Sequence, residues 1–303
     1  MSAPMFRAAA LRVRVPATSA NLGPGYDSFG LALSLGDEIV VRVAENGLDL
    51  DVAGEGEQTV RRDHRNLVAK AMYAAFDRLG GRPRGLEVRC LNRIPHCRGL
   101  GSSAAAVVAG VLAARSLTVG GDERLDDDAV LALVTSMEGH ADNVAAAVNG
   151  GFTIAWTSQG RPRAVALEPS PALVPVVFVP ATEVRTAKAR RALPPSVPHG
   201  DAAVNTARAA LLVEAITHRP DLLFDATADL LHQQYRRAVM PRSVGLVDQL
   251  RSEGLAAVVS GAGPSVLVLC TDADADAVAS REARGFVSQR LAVDTDGTQL
   301  LSL

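Results

Sequence analysis

Residues 95–105 read PHCRGLGSSAA, a glycine-rich loop that runs directly into a helix-forming segment. The first amides of such a helix have no intrahelical acceptor and lie at the positive end of its dipole. Gly99 and Gly101 carry no Cβ, so an anion can approach their backbone closely. Ser102 and Ser103 add hydroxyls within reach of a phosphate or Mg²⁺. The segment therefore predicts either a phosphate-binding loop or a tight turn with a serine cap on a buried helix.

Two better-known phosphate-binding patterns fit this loop less well. A Walker loop requires a lysine where Ala104 and Ala105 stand. The dinucleotide pattern G-x-G-x-x-A is matched by Gly99, Gly101 and Ala104, but residues 92–98 are polar and interrupted by proline. That pattern requires an apolar strand leading into the turn. The sequence therefore disfavours both a nucleotide-binding protein with a Walker loop and a nicotinamide-dependent oxidoreductase.

The composition describes an ordinary globular chain without a strong charge. The 303 residues are 48% hydrophobic and 21% charged, and the formal net charge is -2. This balance, with aromatic residues at 4%, disfavours nucleic-acid binding, which needs a basic surface or stacking rings. No segment has the roughly 20 uninterrupted apolar residues of a membrane helix, and the N-terminus lacks the apolar region of a signal peptide. We expect no nucleic acid and no membrane as partners.

The cysteines give a further indication of compartment. Cys90, Cys97 and Cys270 are the only cysteines, and none of them forms a CxxC pair. An odd and sparse count predicts neither a disulfide framework nor a zinc site. Reduced thiols in a cytoplasmic protein are the expected state.

Strand-like and helix-like segments mix without the strict alternation of a doubly wound sheet, which predicts an α+β fold in two parts. Residues 158–171 are rich in Gly, Pro and Arg and are the predicted boundary. We therefore expect an N-terminal domain over 1–160 and a C-terminal domain over 161–303.

The pattern of apolar residues also predicts individual elements. Residues 102–117 predict a helix buried on nearly every face, because small apolar residues occupy almost all its positions. Residues 221–239 predict a long amphipathic helix. Residues 255–260 and 264–270 predict a hairpin about a GAG turn.

Two further segments carry the same kind of chemistry as the glycine loop. Residues 16–27 read PATSANLGPGYD and residues 260–265 read SGAGPS. Each alone is typical of a turn. Together with PHCRGLGSSAA they resemble the three ordered motifs of the GHMP kinases, the superfamily of galactokinase, homoserine kinase, mevalonate kinase and phosphomevalonate kinase. TSANLGPGYD and EGHADNVA, residues 138–145, are similar to the homoserine kinase members in particular.

The resemblance implies a fold and a reaction. The N-terminal domain would resemble the second domain of ribosomal protein S5, and the C-terminal domain would be ferredoxin-like. The reaction would transfer the γ-phosphoryl group of ATP to the side-chain hydroxyl of L-homoserine, giving O-phospho-L-homoserine for threonine biosynthesis. Relatives are often homodimers, which by analogy makes a homodimer the oligomer to test.

The resemblance also assigns candidate residues to the nucleotide and its metal. Ser103 and Glu138 match the Mg²⁺ positions of the family, with a helix cap and a solvated helix end as the structural alternatives. Asn66 resembles a residue near the adenine pocket. The nucleotide-binding residues would be Asn66, Pro95, Arg98, Gly99, Leu100, Gly101, Ser102, Ser103, Ala104 and Ala105.

The acceptor is a small zwitterion, so its site needs opposite charges at opposite ends. Asp27 suits the ammonium, and Asn21 suits the ammonium or the reacting hydroxyl. Arg190 and Arg236 match family positions that fork onto the carboxylate, although Arg191 and Arg237 stand beside them. Gly263 of the third motif completes the implied substrate-binding residues, together with Asn143.

Three residues are implied nearest to the chemistry: Asp142, Asn143 and Thr186. Asp142 has three possible roles: it is a general base, it orients neighbouring side chains, or it caps a helix. His140 is either a pH-sensitive participant or an ordinary histidine at a helix end. Tyr26 stands where the family more often has Phe.

Two alternatives to a homoserine kinase remain open from the sequence. One is a GHMP kinase for another small alcohol such as mevalonate, which Asp27 and the paired arginines disfavour. The other is a non-catalytic nucleotide-binding protein on the same fold, which the presence of Ser103 and Glu138 disfavours.

Overall fold

A seven-stranded sheet organises the N-terminal half in this computed structural model, which describes residues 4–303. Its strands are β1 (Leu11–Ala20), β2 (Phe29–Ala44), β3 (Gly47–Gly54), β4 (Gly85–Asn92), β5 (Phe152–Ser158), β6 (Arg161–Leu167) and β11 (Gln299–Ser302). The main path runs β11–β1–β2–β4–β3, and β5 joins it through β2 and carries β6. All pairs are antiparallel except β3 with β4.

The second sheet has four strands in the order β10–β7–β9–β8. These are β7 (Leu173–Pro180), β8 (Ala256–Val259), β9 (Val266–Thr271) and β10 (Phe286–Arg290). Strands β8 and β9 form the predicted hairpin, with Val259 opposite Val266. The runs of β-branched residues in β7 to β9 are buried on both faces, because helices cover the sheet on one side and the N-terminal half covers it on the other.

The helices lie around and between the sheets. They are α1 (Leu67–Arg78), α2 (Ser102–Leu117), α3 (Gly121–Arg124), α4 (Asp127–Glu138), α5 (Asp142–Asn149), α6 (Thr186–Arg191), α7 (His199–Thr217), α8 (Leu223–Ala226), α9 (Pro241–Ser252) and α10 (Asp272–Ala279). The predicted bounds of α2 are confirmed. Its small residues are needed on every face because β1, α1, α4 and α5 all pack against it.

The α+β class and the two-part organisation are confirmed by these sheets. The predicted boundary between 160 and 161, however, separates β5 from β6, which pair along their full length. Strand β11 also returns to pair with β1. We therefore propose that the N-terminal part extends to Leu167 and includes the last strand, because hydrogen-bonded partners belong to one folding unit.

The long helix predicted over 221–239 is wrong. The structure has only α8 and two 3₁₀ turns there, Pro220–Leu222 and Gln234–Arg236. The Asp229 carboxylate accepts from the backbone amides of the three residues from Leu231 to Gln233, which caps a new turn and ends the earlier one. The amphipathic pattern instead buries His232 and Arg236 beneath the β1–β2 turn.

Residues 4–303 contain no helix that is both long and apolar enough to cross a bilayer.

Candidate active site

The three sequence motifs, far apart in the chain, meet at one place. Ser260 Oγ lies 2.7 Å from the carbonyl oxygen of Gly99 and 2.8 Å from Ser19 Oγ. The amide of Gly261 donates to the Ala20 carbonyl at 3.0 Å, and the Asn21 amide group donates to the Gly261 carbonyl at 2.8 Å. The turn after β1 and the β8–β9 turn thus hold the glycine loop between them.

The glycine loop has a backbone that only glycine adopts readily. Gly99 and Gly101 both have φ of +74°. A Cβ on Gly99 would lie 2.3 Å from the Ser260 carbonyl oxygen. Gly101 is the N-cap of α2, and no side chain caps that helix. Because Ser102 and Ser103 do not cap the helix, its first amides remain available to an anion.

We expect Gly101→Ala to weaken nucleotide binding and to lower stability by at least about 1–3 kcal/mol. A Cβ there would lie 2.0 Å from Thr18 Oγ1, in addition to the strain of a positive φ. The measurement is the KM for ATP together with thermal unfolding. Gly160→Ala is the matched control, since Gly160 has φ of +73° with no atom near its added Cβ. Equal losses in both variants would show that the close approach to Thr18 is unimportant.

Ser103 and Glu138 are brought together from α2 and the end of α4. Ser103 Oγ donates to Glu138 Oε2 at 2.7 Å. Burial raises the pKa of Glu138 above the ordinary carboxyl range. Two oxygens suit Mg²⁺ bound with a nucleotide, because Mg²⁺ takes most of its ligands from phosphates and water. No cluster of three or more His, Cys, Asp or Glu suited to hold a metal occurs within residues 4–303.

A cleft of about 190 Å³ lies beside the glycine loop, where it meets α4, α5 and α6. It brings together most of the residues predicted from the sequence. They are Asn21, Gly99, Gly101, Ser102, Ser103, Glu138, Asp142, Asn143, Thr186, Arg190 and Arg236. Members of the predicted phosphate-binding, metal-binding and acceptor sets therefore line one cavity.

At the acceptor end, Asp27 and Arg190 face each other. The two terminal nitrogens of Arg190 donate to the Asp27 carboxylate at 3.0 and 2.5 Å. Arg190 also donates to the Tyr26 hydroxyl at 3.1 Å. Arg191 is exposed, so Arg190 is the arginine of this pair that the structure directs to the cleft. The two predicted acceptor ligands neutralise each other in this state of the protein.

Arg236 differs from Arg190 in its partners. Its side chain is 1% exposed, it has no carboxylate partner among residues 4–303, and its Nε has no hydrogen-bond partner. Burial lowers its pKa. The neighbouring Arg237 is exposed and pairs with Asp248. Arg236 therefore presents an uncompensated buried charge to the cleft, which is the arrangement that an incoming carboxylate would satisfy.

Asp142 and Asn143 begin α5 and face the phosphate loop. Asp142 is 2% exposed, and its Oδ1 accepts from the Asn143 amide at 2.7 Å. His140 Nδ1 lies 3.1 Å from the same oxygen, and Asp142 raises the pKa of His140. Thr18 Oγ1 donates to Asn143 Oδ1 at 2.8 Å. Asp142 Oδ1 thus contacts both Asn143 and His140, and His140 and Asp142 both line the cleft.

Several predicted residues lie outside the lining of this cleft. Asn66 caps α1 through its side chain and lines a neighbouring cavity of about 240 Å³ that also contacts Ser102 and Ser103. The Arg98 side chain turns away to the carbonyls of Pro180 and Ala181. The buried Leu100, Ala104 and Ala105 and the partly buried Pro95 support the loop rather than line the cleft. Asp27 also lies outside the lining and reaches the site through its ion pair with Arg190, which does line it.

The third motif contributes residues that the sequence did not identify. Gly261 and Ala262 line the cleft, whereas Gly263 does not. Gly263 is held against Met240 and Val259, where an added Cβ would lie 2.5 and 3.0 Å from their side chains. Cys97 and Arg185 also line the cleft. Only the motif could be read from sequence; which of its residues faces the cavity depends on how the hairpin packs.

Comparison with known proteins agrees with this arrangement. Residues 66–151 match the family model described as GHMP kinases N terminal domain, and residues 210–286 match the one described as GHMP kinases C terminal. The fold and the site therefore define a kinase of the GHMP class.

The sequence relatives narrow the class. Over 303 residues the chain is 58% identical to a homoserine kinase of Streptomyces avermitilis, with 100% of this chain and 99% of the relative covered. It is 48% identical over 286 residues to a homoserine kinase of Mycobacterium tuberculosis, covering 92% and 90%. The crystal structure of homoserine kinase from Cytophaga hutchinsonii superposes with a TM-score of 0.85 at 25% identity, covering 98% and 99%. The chain belongs to the homoserine kinase family.

Proposed function

We propose that this protein transfers the γ-phosphoryl group of ATP to the side-chain hydroxyl of L-homoserine, forming O-phospho-L-homoserine for threonine biosynthesis. One observation carries this proposal: the uncompensated guanidinium of Arg236 opens into the same cleft as the glycine loop at the start of α2. One cavity thus offers a cation for a carboxylate and amides for a phosphate. The family membership supports ATP and homoserine as the two substrates.

The chain's own residues would bind the nucleotide without covalent chemistry. The amides from Gly101 to Ser103 would contact the phosphates, and the apolar cavity beside Asn66 would hold the base. Ser103 and Glu138 would hold Mg²⁺, which supplies charge neutralisation on the phosphate oxygens when bound. This positioning is the main contribution a protein makes to phosphoryl transfer.

The acceptor would enter by replacing contacts that the protein makes with itself. Asp27 would bind the ammonium, while Arg190 and Arg236 would bind the carboxylate. Separation of the Asp27–Arg190 pair costs little because a zwitterion restores an opposite charge to each partner. Asn21 contributes through the turn, since both ends of its amide are already bonded to the backbone of Asp27 and Gly261.

The hydroxyl of the acceptor would lie near Asn143 and His140. The contacts of Asp142 with His140 and Asn143 support a role in orienting them more than a role as a free general base. Thr186, at the start of α6, also lines the cleft and remains a predicted contact.

The test is ADP release by the purified protein with Mg-ATP, comparing L-homoserine, L-serine, L-threonine and mevalonate. We expect selective turnover of L-homoserine. Turnover of mevalonate instead would retain the phosphate site and reject the acceptor assignment. Binding of ATP with no turnover of any alcohol would favour the non-catalytic alternative.

Two further attributes stay proposals. A cytoplasmic location is consistent with the absence of disulfides among residues 4–303, where Cys90, Cys97 and Cys270 are all free thiols. A homodimer rests on analogy with relatives, and sedimentation of the purified protein tests it.

A further inference from the structure

The contacts behind Arg236 are all with uncharged groups. Its Nη1 lies 2.9 Å from His232 Nδ1 and 3.2 Å from the Gly261 carbonyl oxygen. His232 is itself 1% exposed. A buried guanidinium is ordinarily paired with a carboxylate, because an unpaired charge is costly to bury. Here the acceptor behind it is an imidazole ring.

The surroundings of His232 define which of its nitrogens carries a proton. Nε2 lies 2.8 Å from the carbonyl oxygen of Gly23, which can only accept, so we assign the proton to Nε2. Nδ1 then keeps a lone pair for Arg236. Burial lowers the pKa of His232, which favours this neutral form.

The carboxylate beside His232, that of Asp229, does not replace the ring as the hydrogen-bond acceptor of Arg236. Asp229 Oδ1 lies 3.6 Å from His232 Nε2, on the side of the ring away from Arg236. Its oxygens accept from the amides of Leu231, His232 and Gln233. Asp229 therefore shapes the turn that carries His232, while Arg236 receives a hydrogen bond acceptor that adds no negative charge.

The comparison with Arg190 shows what this difference does. Arg190 is neutralised by Asp27 through two hydrogen bonds. Arg236 is held by neutral acceptors through Nη1 and keeps its charge, so it attracts an anion at longer range and needs no partner to leave first. A fixed charge in a low-dielectric cleft interacts more strongly than one in water.

We propose that His232 is a positioning residue for the acceptor carboxylate: its neutral ring fixes Arg236 at the wall of the cleft without cancelling the charge of the guanidinium. This inference rests on the proposed function, and it adds a specificity role to a residue that does not line the cleft.

The test compares three substitutions by their effect on the KM for L-homoserine. We expect His232→Leu, which removes the acceptor, to raise that KM about 10-fold. His232→Glu, which supplies a negative charge, should raise it further. His232→Gln offers both a donor for Gly23 and a neutral acceptor for Arg236, so it should stay within a few-fold of the unmodified protein. In all three, kcat and the KM for ATP should change little.

A double-mutant cycle separates this role from a merely structural one. In an Arg236→Met background, His232→Leu should have no further effect on the KM for L-homoserine, because the ring acts through the guanidinium. His218→Gln, at an exposed histidine, is the matched control. The proposal would be overturned if kcat fell and both KM values rose together, or if the effects in the cycle were additive. It would also be overturned if His232→Gln were as impaired as His232→Leu. Should His232→Glu not fold, the Leu and Gln variants and the cycle still decide. The proposed function is judged separately, on whether the unmodified protein phosphorylates L-homoserine.

Discussion

Arg236→Met is expected to lower kcat/KM for L-homoserine by on the order of 10²–10³, mainly through KM. Loss of one partner from a buried, hydrogen-bonded charge pair costs about 2–5 kcal/mol. The middle of that range, about 3–4 kcal/mol, gives this factor at about 1.4 kcal/mol per factor of ten. The measurement is steady-state kinetics with each substrate varied. The KM for ATP should change little, since the proposed phosphate contacts belong to the loop at Gly101 rather than to Arg236.

The adjacent arginine provides the control for this experiment. Arg237→Met removes the same group from an exposed pair with Asp248, and such pairs are worth roughly 0–1 kcal/mol. We expect its kinetics to be unchanged.

Thermal unfolding adds a second observation: Arg236→Met should melt no lower than the unmodified protein, because it replaces an uncompensated buried charge with an apolar chain. An Arg236→Met variant with normal KM for L-homoserine would contradict the carboxylate assignment.

Glu138→Gln is expected to lower kcat by on the order of 10² and to raise the Mg²⁺ concentration needed for half-maximal rate. The amide keeps the size of the side chain and a hydrogen bond to Ser103 but removes the charge opposite the metal. Metal-assisted charge stabilisation is worth several kcal/mol, of which one ligand accounts for about 3 kcal/mol. The measurement is a Mg²⁺ titration of the initial rate at saturating ATP and L-homoserine.

Two companion variants make this result specific. Ser103→Ala should shift the Mg²⁺ requirement in the same direction by a smaller factor, because a hydroxyl is a neutral ligand. Glu123→Gln, on the exposed face of α3, should leave the titration unchanged. An unaltered Mg²⁺ dependence in Glu138→Gln would place the metal elsewhere and leave Glu138 as a support for the Ser103 hydroxyl.

Local patterns in the sequence were sufficient to predict the elements that are stabilised mainly by contacts between neighbouring residues. The bounds of α2 follow from a run of small apolar residues after Gly101, and Asp126 caps α4 as its side chain predicts. The β8–β9 hairpin follows from two apolar runs around a glycine turn. The glycine loop is likewise readable, because a phosphate site needs backbone freedom and free amides, both of which are properties of a short segment.

The same local patterns did not predict the structure of two segments, residues 158–171 and residues 221–239. Residues 158–171 are rich in Gly, Pro and Arg and therefore predict a domain boundary, yet β6 lies among them and is specified by its pairing with β5. The amphipathic pattern of residues 221–239 predicts a helix, but the Asp229 carboxylate accepts from the amides of residues 231–233 and caps a turn there instead. For β6, pairing with another strand overrides the local propensity. For residues 221–239, a local bond between a side chain and the backbone competes with the helix.

Residue types within the motifs were sufficient to predict the class of chemistry: a phosphate loop, two oxygens for a metal and paired charges for a zwitterion. Which of two adjacent arginines faces the cleft depends on the tertiary structure. Arg190 and Arg236 face the cleft while Arg191 and Arg237 face outward, because the direction of a side chain is set by the packing of its turn. The tertiary structure likewise placed His232 behind Arg236, a contact that exists only when the β8–β9 turn and the β1–β2 turn close over that residue.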